Sequence, residues 1–275
     1  MSKISTEKGQ FLKVEGLRTF YRQAGEGHPV LLIHGGAPGA CSLVSWKRNI
    51  DSLAASGFEV YAVDQPGFGY TEVPTDHSIE FRITHTRSFA DELGLDRFHL
   101  IGSSIGAYIA ARIALEDPRV RRLVFVSSST LAPKGSREAT ERAKRHSQEL
   151  RQFTPGLENV RSMTLKTLFK SELVTEELVR ERHEMSSGPR FKAILRRREA
   201  PSPKPIVEEI PKLTMRTLIL WGNNDRGAAV ERAFLLCQLL PNAELHVFNQ
   251  CAHWVQWDQA ERFNRLVADF LSGSP

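Results

Sequence analysis

The sequence predicts an α/β protein: a mostly parallel central sheet flanked by helices, with a helical cap inserted into it. Three observations carry this prediction. Short apolar runs alternate with amphipathic stretches through the first half of the chain. A charged, helix-forming segment without a strand-like run follows. Strand-like runs then return before the C-terminus.

The elements follow in order. PVLLIHGG (Pro29 to Gly36) is a short apolar run ending in glycines, and FEVYAVDQPG (Phe58 to Gly67) is a second. RFHLIGSS (Arg97 to Ser104) and RRLVFVSSS (Arg121 to Ser129) complete the first set of strands. Between them lie the amphipathic stretches SWKRNIDSLAASG and THTRSFADELGL and the Ala-rich helix Ile105 to Pro118. From Leu131 the chain turns charged and helical, with breaks at Pro155-Gly156, Gly188-Pro189 and the Pro-rich APSPKP. Strands return at RTLILWG (Arg216 to Gly222) and AELHVFNQ (Ala243 to Gln250), and a last helix spans Gln259 to Leu271. Residues 131–205 are therefore expected to form the cap, and residues 1–130 and 206–275 the core.

Composition narrows the function classes. The 275 residues are 41% hydrophobic and 25% charged, ordinary values for a globular enzyme-sized domain. No apolar run reaches the length of a membrane span, and the first residues lack a signal-like apolar region, so no membrane association and a cytoplasmic location are expected. Cys41, Cys237 and Cys251 show neither paired spacing nor a zinc pattern, which predicts free thiols and no metal. The net charge of +5 is concentrated between Leu131 and Ala200, where 16 Lys/Arg face 10 Asp/Glu. No aromatic residues interleave the basic ones as a base-stacking surface requires, so nucleic acid is not expected as a partner. The basic segment reads either as a solvated helical face or as a cap that attracts a small anionic substrate.

Gly102-Ser103-Ser104-Ile105-Gly106 matches G-x-S-x-G after a strand and before a helix. A serine on so sharp a turn is held in a strained backbone, and the glycines let neighbouring chain pass without a Cβ clash. The turn also puts Ser104 at a helix N-terminus, where backbone N–H groups can meet a developing oxyanion. No phosphate-binding glycine pattern follows any strand, so no nucleotide cofactor is expected. The serine needs a base, and the base needs an orienting carboxylate. His253, in the loop after AELHVFNQ, and Asp225, in the loop after RTLILWG, supply them in the chain order that α/β-hydrolases use. Asp64 and Asp76 precede the serine and fit that order poorly. His34-Gly35-Gly36 closes the first strand, which places the oxyanion donors on the backbone N–H groups of Gly36 and Ile105.

With these residues placed, the sequence resembles the meta-cleavage product hydrolases, α/β-hydrolases that cleave a carbon–carbon bond in dienoates made by extradiol ring opening of catechols. ELHVFNQCAHWVQWDQAERFNRLVADFL resembles the family's closing block, and HGGAPGA and RNIDSL its first glycine turn and following helix. TEELVRER resembles the cap segment that carries a substrate-contacting arginine. The resemblance implies Arg182 and Trp254 as substrate-binding residues, together with Gly35, Ser45 and Ser103 along the pocket. It also implies a homodimer and no cofactor. Ser103 and Ser45 stand where the family has asparagine, and Gly227 stands where it has an aromatic residue. The implied reaction is hydrolysis of a 2-hydroxy-6-oxo-dienoate. Ser104 would either form an acyl-enzyme or help water attack directly. A carboxylesterase or lactone hydrolase with the same triad is the nearest rival, and a small-molecule receptor on the same scaffold is a rival of another class.

Overall fold

A computed structural model describes residues 9–273. Its eight strands form one sheet in the order β1-β2-β4-β3-β5-β6-β7-β8. They are β1 (Gln10–Val14), β2 (Leu17–Ala24), β3 (His28–Ile33), β4 (Phe58–Val63), β5 (Phe98–Ser103), β6 (Val120–Val126), β7 (Arg216–Gly222) and β8 (Ala243–Phe248). From β4 to β8 every neighbouring pair is parallel, while β1–β2 and β2–β4 are antiparallel. The expected α/β architecture is therefore present. The β1–β2 hairpin is an addition to it. Its turn is Glu15-Gly16, with φ of 47° and 79°, a left-handed pair more often marked by Asn-Gly or Asp-Gly. β1 is also mostly exposed, so its hydrophobic alternation is weak.

Apart from the edge strand β8, the parallel strands are buried on both faces, and their alternation sorts the side chains into two layers. Leu31, Ile33, Leu100, Phe125, Ile219 and Trp221 belong to one apolar cluster. Helices α3 (Ile79–Glu92), α4 (Ile105–Glu116) and α9 (Glu231–Leu239) close it through Phe89, Ile109 and Leu236. Val30, Leu32, Ile101, Val124, Leu218 and Leu220 belong to the other. There α2 (Ile50–Ala55) and the C-terminal α11 (Ala260–Ser272), which follows the short α10 (Val255–Asp258), contribute Leu53, Phe263 and Val267. The stretch Ser45 to Gly57, read as one amphipathic segment before β4, is helical over α2, and a short α1 (Ser42–Ser45) precedes it.

Between β6 and β7 the described residues form only helices: α5 (Arg137–Gln152), α6 (Leu157–Thr167), α7 (Glu176–Glu184) and α8 (Pro189–Glu199), with two single-turn 3₁₀ segments. These helices dock at specific points on the core. Gly39 has φ +77°, and a Cβ there would lie 2.5 Å from the Arg182 carbonyl oxygen, so only glycine allows α7 this close. The Thr167 carbonyl at the end of α6 accepts from the backbone N–H groups of His253 and Trp254 at 3.0 and 3.3 Å. Cap and core are thereby tied at the loop that carries the predicted base.

Candidate active site

The carboxyl ends of β3, β5, β7 and β8 converge on one cavity of about 340 Å³, lined by Gly35, Gly36, Ser104, Ile105, His253 and Trp254 among others. This is where ligands bind in open α/β sheets. Ser104 caps α4 with φ 56° and ψ −122°. The turn survives because its neighbours lack side chains. A Cβ on Gly106 would sit 2.2 Å from the Ile33 carbonyl oxygen, and one on Gly102 would sit 2.3 Å from that of Gly106. The strain is held by packing on both sides, which a side chain at either glycine would not allow.

Asp225 and His253 are brought together by the loops that follow β7 and β8. His253 Nδ1 lies 2.7 Å from Asp225 Oδ2. Asp225 Oδ1 accepts from the backbone N–H groups of Gly227 and Ala228, each at 2.8 Å, which fixes the carboxylate plane. The two loops are stitched by the Asn224 N–H to the Cys251 carbonyl at 2.9 Å. Gly222 permits that approach, since its Cβ would meet the Ala252 carbonyl oxygen at 2.1 Å. Asp258, buried and not anticipated from the sequence, accepts from the N–H groups of Ala252, Phe169 and Lys170. It therefore holds the His253 loop and the segment leaving α6 at once.

The electrostatics suit a histidine that takes up a proton. Burial works against charge on His253, but the Asp225 carboxylate and its hydrogen bond outweigh it and leave the imidazole pKa raised. Burial likewise opposes ionisation of Asp225, yet the His253 charge and the hydrogen bonds hold its pKa below the usual carboxylate value.

Gly36 and Ile105 face each other across the cavity entrance to Ser104: a Cβ on Gly36 would lie 3.0 Å from Ile105 Cγ2. The glycine turn is braced from behind by His34. Its Nε2 accepts the Gln65 backbone N–H at 3.1 Å, so its Nδ1 carries the proton and donates to the Gly35 carbonyl at 2.7 Å. Burial pushes the His34 pKa down to about 3, which keeps that tautomer neutral. Asp64, set aside as the triad acid, accepts from the N–H groups of Ser42 and Tyr70 and so anchors the segment after the turn.

Of the substrate-binding residues implied by the resemblance, Gly35 and Trp254 line the cavity, whereas Ser45, Ser103 and Arg182 do not. Ser45 and Ser103 are buried, each with its Oγ unpartnered. Being shorter than asparagine, neither side chain reaches the cavity. Arg182 is 0% exposed and donates to Thr164 Oγ1 at 3.0 Å and to the Pro38 carbonyl at 3.2 Å. Its guanidinium packs on the Trp254 ring, 4.7 Å from the centroid, so it supports the cavity wall from outside. At Gly227 the missing side chain is replaced by a residue from the cap. A Cβ there would lie 2.6 Å from the His146 ring, whose centroid is 6.2 Å from that of His253. His146, Arg82 and Arg197 also line the cavity, and none was legible as a site residue. Their helices α5, α3 and α8 meet only in three dimensions.

Known proteins agree with this architecture. The family profile for the alpha/beta hydrolase fold matches residues 28–260. A 2-hydroxy-6-oxononadienedioate/2-hydroxy-6-oxononatrienedioate hydrolase of Dechloromonas aromatica is 32% identical over 265 residues, covering 93% of this chain and 91% of its own. A 2-hydroxy-6-oxo-2,4-heptadienoate hydrolase of Pseudomonas putida is 31% identical, and the match covers 99% of both chains. Among solved structures, the meta-cleavage product hydrolase CumD of Pseudomonas fluorescens IP01, a serine-to-alanine mutant complexed with acetates, superposes with a TM-score of 0.86 at 31% identity, covering 97% of this chain and 98% of that one. The chain belongs to the meta-cleavage product hydrolases of the α/β-hydrolase superfamily.

Proposed function

We propose that the chain is a serine-dependent hydrolase that cleaves the carbon–carbon bond of a 2-hydroxy-6-oxo-dienoate, with Ser104, Asp225 and His253 as its triad. The observation that carries the proposal is the His253–Asp225 contact of 2.7 Å at a cavity that Ser104 also lines. The names of the relatives supply the substrate class.

On this reading His253, neutral at Nε2 and oriented through Nδ1 by Asp225, moves a proton from the dienol oxygen to carbon and gives the keto tautomer. The Ser104 hydroxyl loses its proton to His253 and attacks the C6 carbonyl. The oxyanion forms between the N–H groups of Gly36 and Ile105, each worth about 3 kcal/mol in the transition state. The C5–C6 bond breaks with its electron pair on C5, stabilised as the enolate of the 2-keto acid, and His253 returns the proton. Water, deprotonated by His253, then releases the acyl group as a carboxylic acid. A cytoplasmic setting is part of this proposal, supported by three cysteines that are all unpaired.

The rival ester chemistry separates in one assay. Dienoates, followed by loss of their visible absorbance, are expected to show kcat/KM at least about 100-fold above nitrophenyl esters. Esters turned over faster than every dienoate would move the chain to carboxylesterase chemistry.

The raised His253 pKa sets a pH dependence. Only the neutral imidazole accepts the serine proton, so the acid limb of kcat/KM is expected above 6.5, the ordinary value for histidine. The same shift stabilises the fold in the opposite sense. The protonated His253–Asp225 pair contributes fully below the unfolded pKa, and its contribution is lost as pH rises through the folded value. A pH–rate profile checks the first statement; a limb centred below 6.5 contradicts the assigned pairing.

A further inference from the structure

The cavity wall holds four arginines, Arg82, Arg151, Arg197 and Arg198, and no aspartate or glutamate. Arg182 and Arg232 are also buried with neutral acceptors alone, but Arg82 and Arg197 differ from them in lining the cavity. Arg82 comes from α3 of the core and Arg197 from α8 of the cap, and both guanidinium groups lie over the same Phe68 ring, with Cζ at 5.3 and 3.7 Å from its centroid. Arg82 is only 8% exposed. Among the described residues neither makes an ion pair. Arg82 donates from Nε to Gln65 Oε1 at 2.9 Å and again from Nη2, and Arg197 donates from Nη1 to the Gly67 carbonyl at 2.8 Å.

All of those acceptors are neutral, and a guanidinium has five N–H donors. Each side chain therefore keeps donors and its whole charge uncompensated. Burial pushes the Arg82 pKa down to about 10, and burial with the neighbouring Arg82 charge pushes that of Arg197 down to about 9. Two like charges at one cavity wall, Arg82 buried and Arg197 half-buried, are costly without a counter-ion, and an anion entering the cavity supplies the missing charge. A carboxylate is the planar, bidentate anion that suits such a pair.

We propose that Arg82 and Arg197 form a clamp across the core–cap boundary that binds a carboxylate of the substrate. This deepens the dienoate reading and rests on it. It also links binding to the reaction centre. Gln65 accepts from Arg82 and donates from its backbone to His34, which braces the Gly35–Gly36 turn. The carboxylate is either the dienoate head group or a second acid group on the acyl side, as in a dioate.

The test uses the full-length protein with Arg82→Met, Arg197→Met and Arg197→Lys. Lys192→Met serves as a control that removes one charge from the exposed side of the same helix, away from the cavity. Adipate binding is read by quenching of tryptophan fluorescence, since Trp254 lines the cavity, and needs no turnover. Both Met variants are expected to weaken adipate at least about tenfold, with Arg197→Lys between them and wild type and Lys192→Met unchanged. KM for dienoates should rise by a similar factor, with a smaller change in kcat. A rise for both the heptadienoate and the nonadienedioate assigns the clamp to the head group; a rise for the dioate alone assigns it to the second acid. Adipate that stabilises the wild type in thermal unfolding, but not the Met variants, is the signature a merely structural arginine lacks. Adipate binding that is absent from the wild type, or unchanged in both Met variants, overturns the clamp. A wild type that binds adipate through these arginines but cleaves no dienoate leaves the clamp standing and refutes the proposed reaction.

Discussion

Ser104→Ala is expected to lower kcat for dienoates by at least about 10⁴-fold while leaving dienoate binding within a few-fold of wild type. The substitution keeps the Cβ, so the turn with φ 56° and the packing of Gly102 and Gly106 around it are retained. What disappears is the oxygen that, in the proposed mechanism, attacks the C6 carbonyl. The oxyanion donors and the cavity remain, so the variant should hold the coloured dienoate without bleaching it. Titration by absorbance measures the binding, and single-turnover traces measure the loss. A variant that keeps more than about a tenth of wild-type kcat would remove Ser104 from the mechanism.

Asp225→Asn should be nearly as damaging, with a loss in kcat of about 10⁴-fold. The hydrogen bonds around Asp225 explain why. Oδ1 accepts from Gly227 and Ala228, so the asparagine must keep its carbonyl oxygen there and turn its NH₂ toward His253. The imidazole would then have to accept at Nδ1, which places its proton on Nε2. In that tautomer it cannot take the proton of Ser104. The charge that raises the His253 pKa is removed as well, so the residual activity should show an acid limb at lower pH. Measurement of kcat across pH checks both parts. An unshifted limb with near-normal kcat would mean that another group orients the base.

How far the sequence revealed the molecule depends on whether the signal was local. The strands β3 to β7 were readable because parallel strands buried on both faces leave apolar runs bounded by turn residues, and the edge strand β8 was readable from its alternation. G-x-S-x-G was readable because every residue in it serves one turn. Asp225 and His253 could be picked from chain order and loop position, and the structure places them in contact. The β1–β2 hairpin was missed because Glu15-Gly16 adopts a left-handed turn without its usual asparagine or aspartate. Arg82, His146 and Arg197 gave no local signal, since an arginine on a charged helix reads as solvated until the fold turns it inward. Arg182 shows the converse. Similarity to the family pointed to it, and its guanidinium bonds Thr164 and Pro38 and stacks on the Trp254 ring while its Nε has no partner. Gly227 illustrates why such departures are hard to interpret from one segment: the space it leaves is filled by His146 from another.

The measurement that bears most directly on the central claim is a stoichiometric reaction of the wild-type protein with 2-hydroxy-6-oxohepta-2,4-dienoate, with both products quantified. Carbon–carbon hydrolysis predicts that the visible absorbance disappears and that acetate and 2-hydroxypenta-2,4-dienoate appear in equal amounts, with neither formed by Ser104→Ala. A chromophore left intact by the wild type, beside rapid hydrolysis of nitrophenyl esters, would contradict it and assign the triad to ester cleavage.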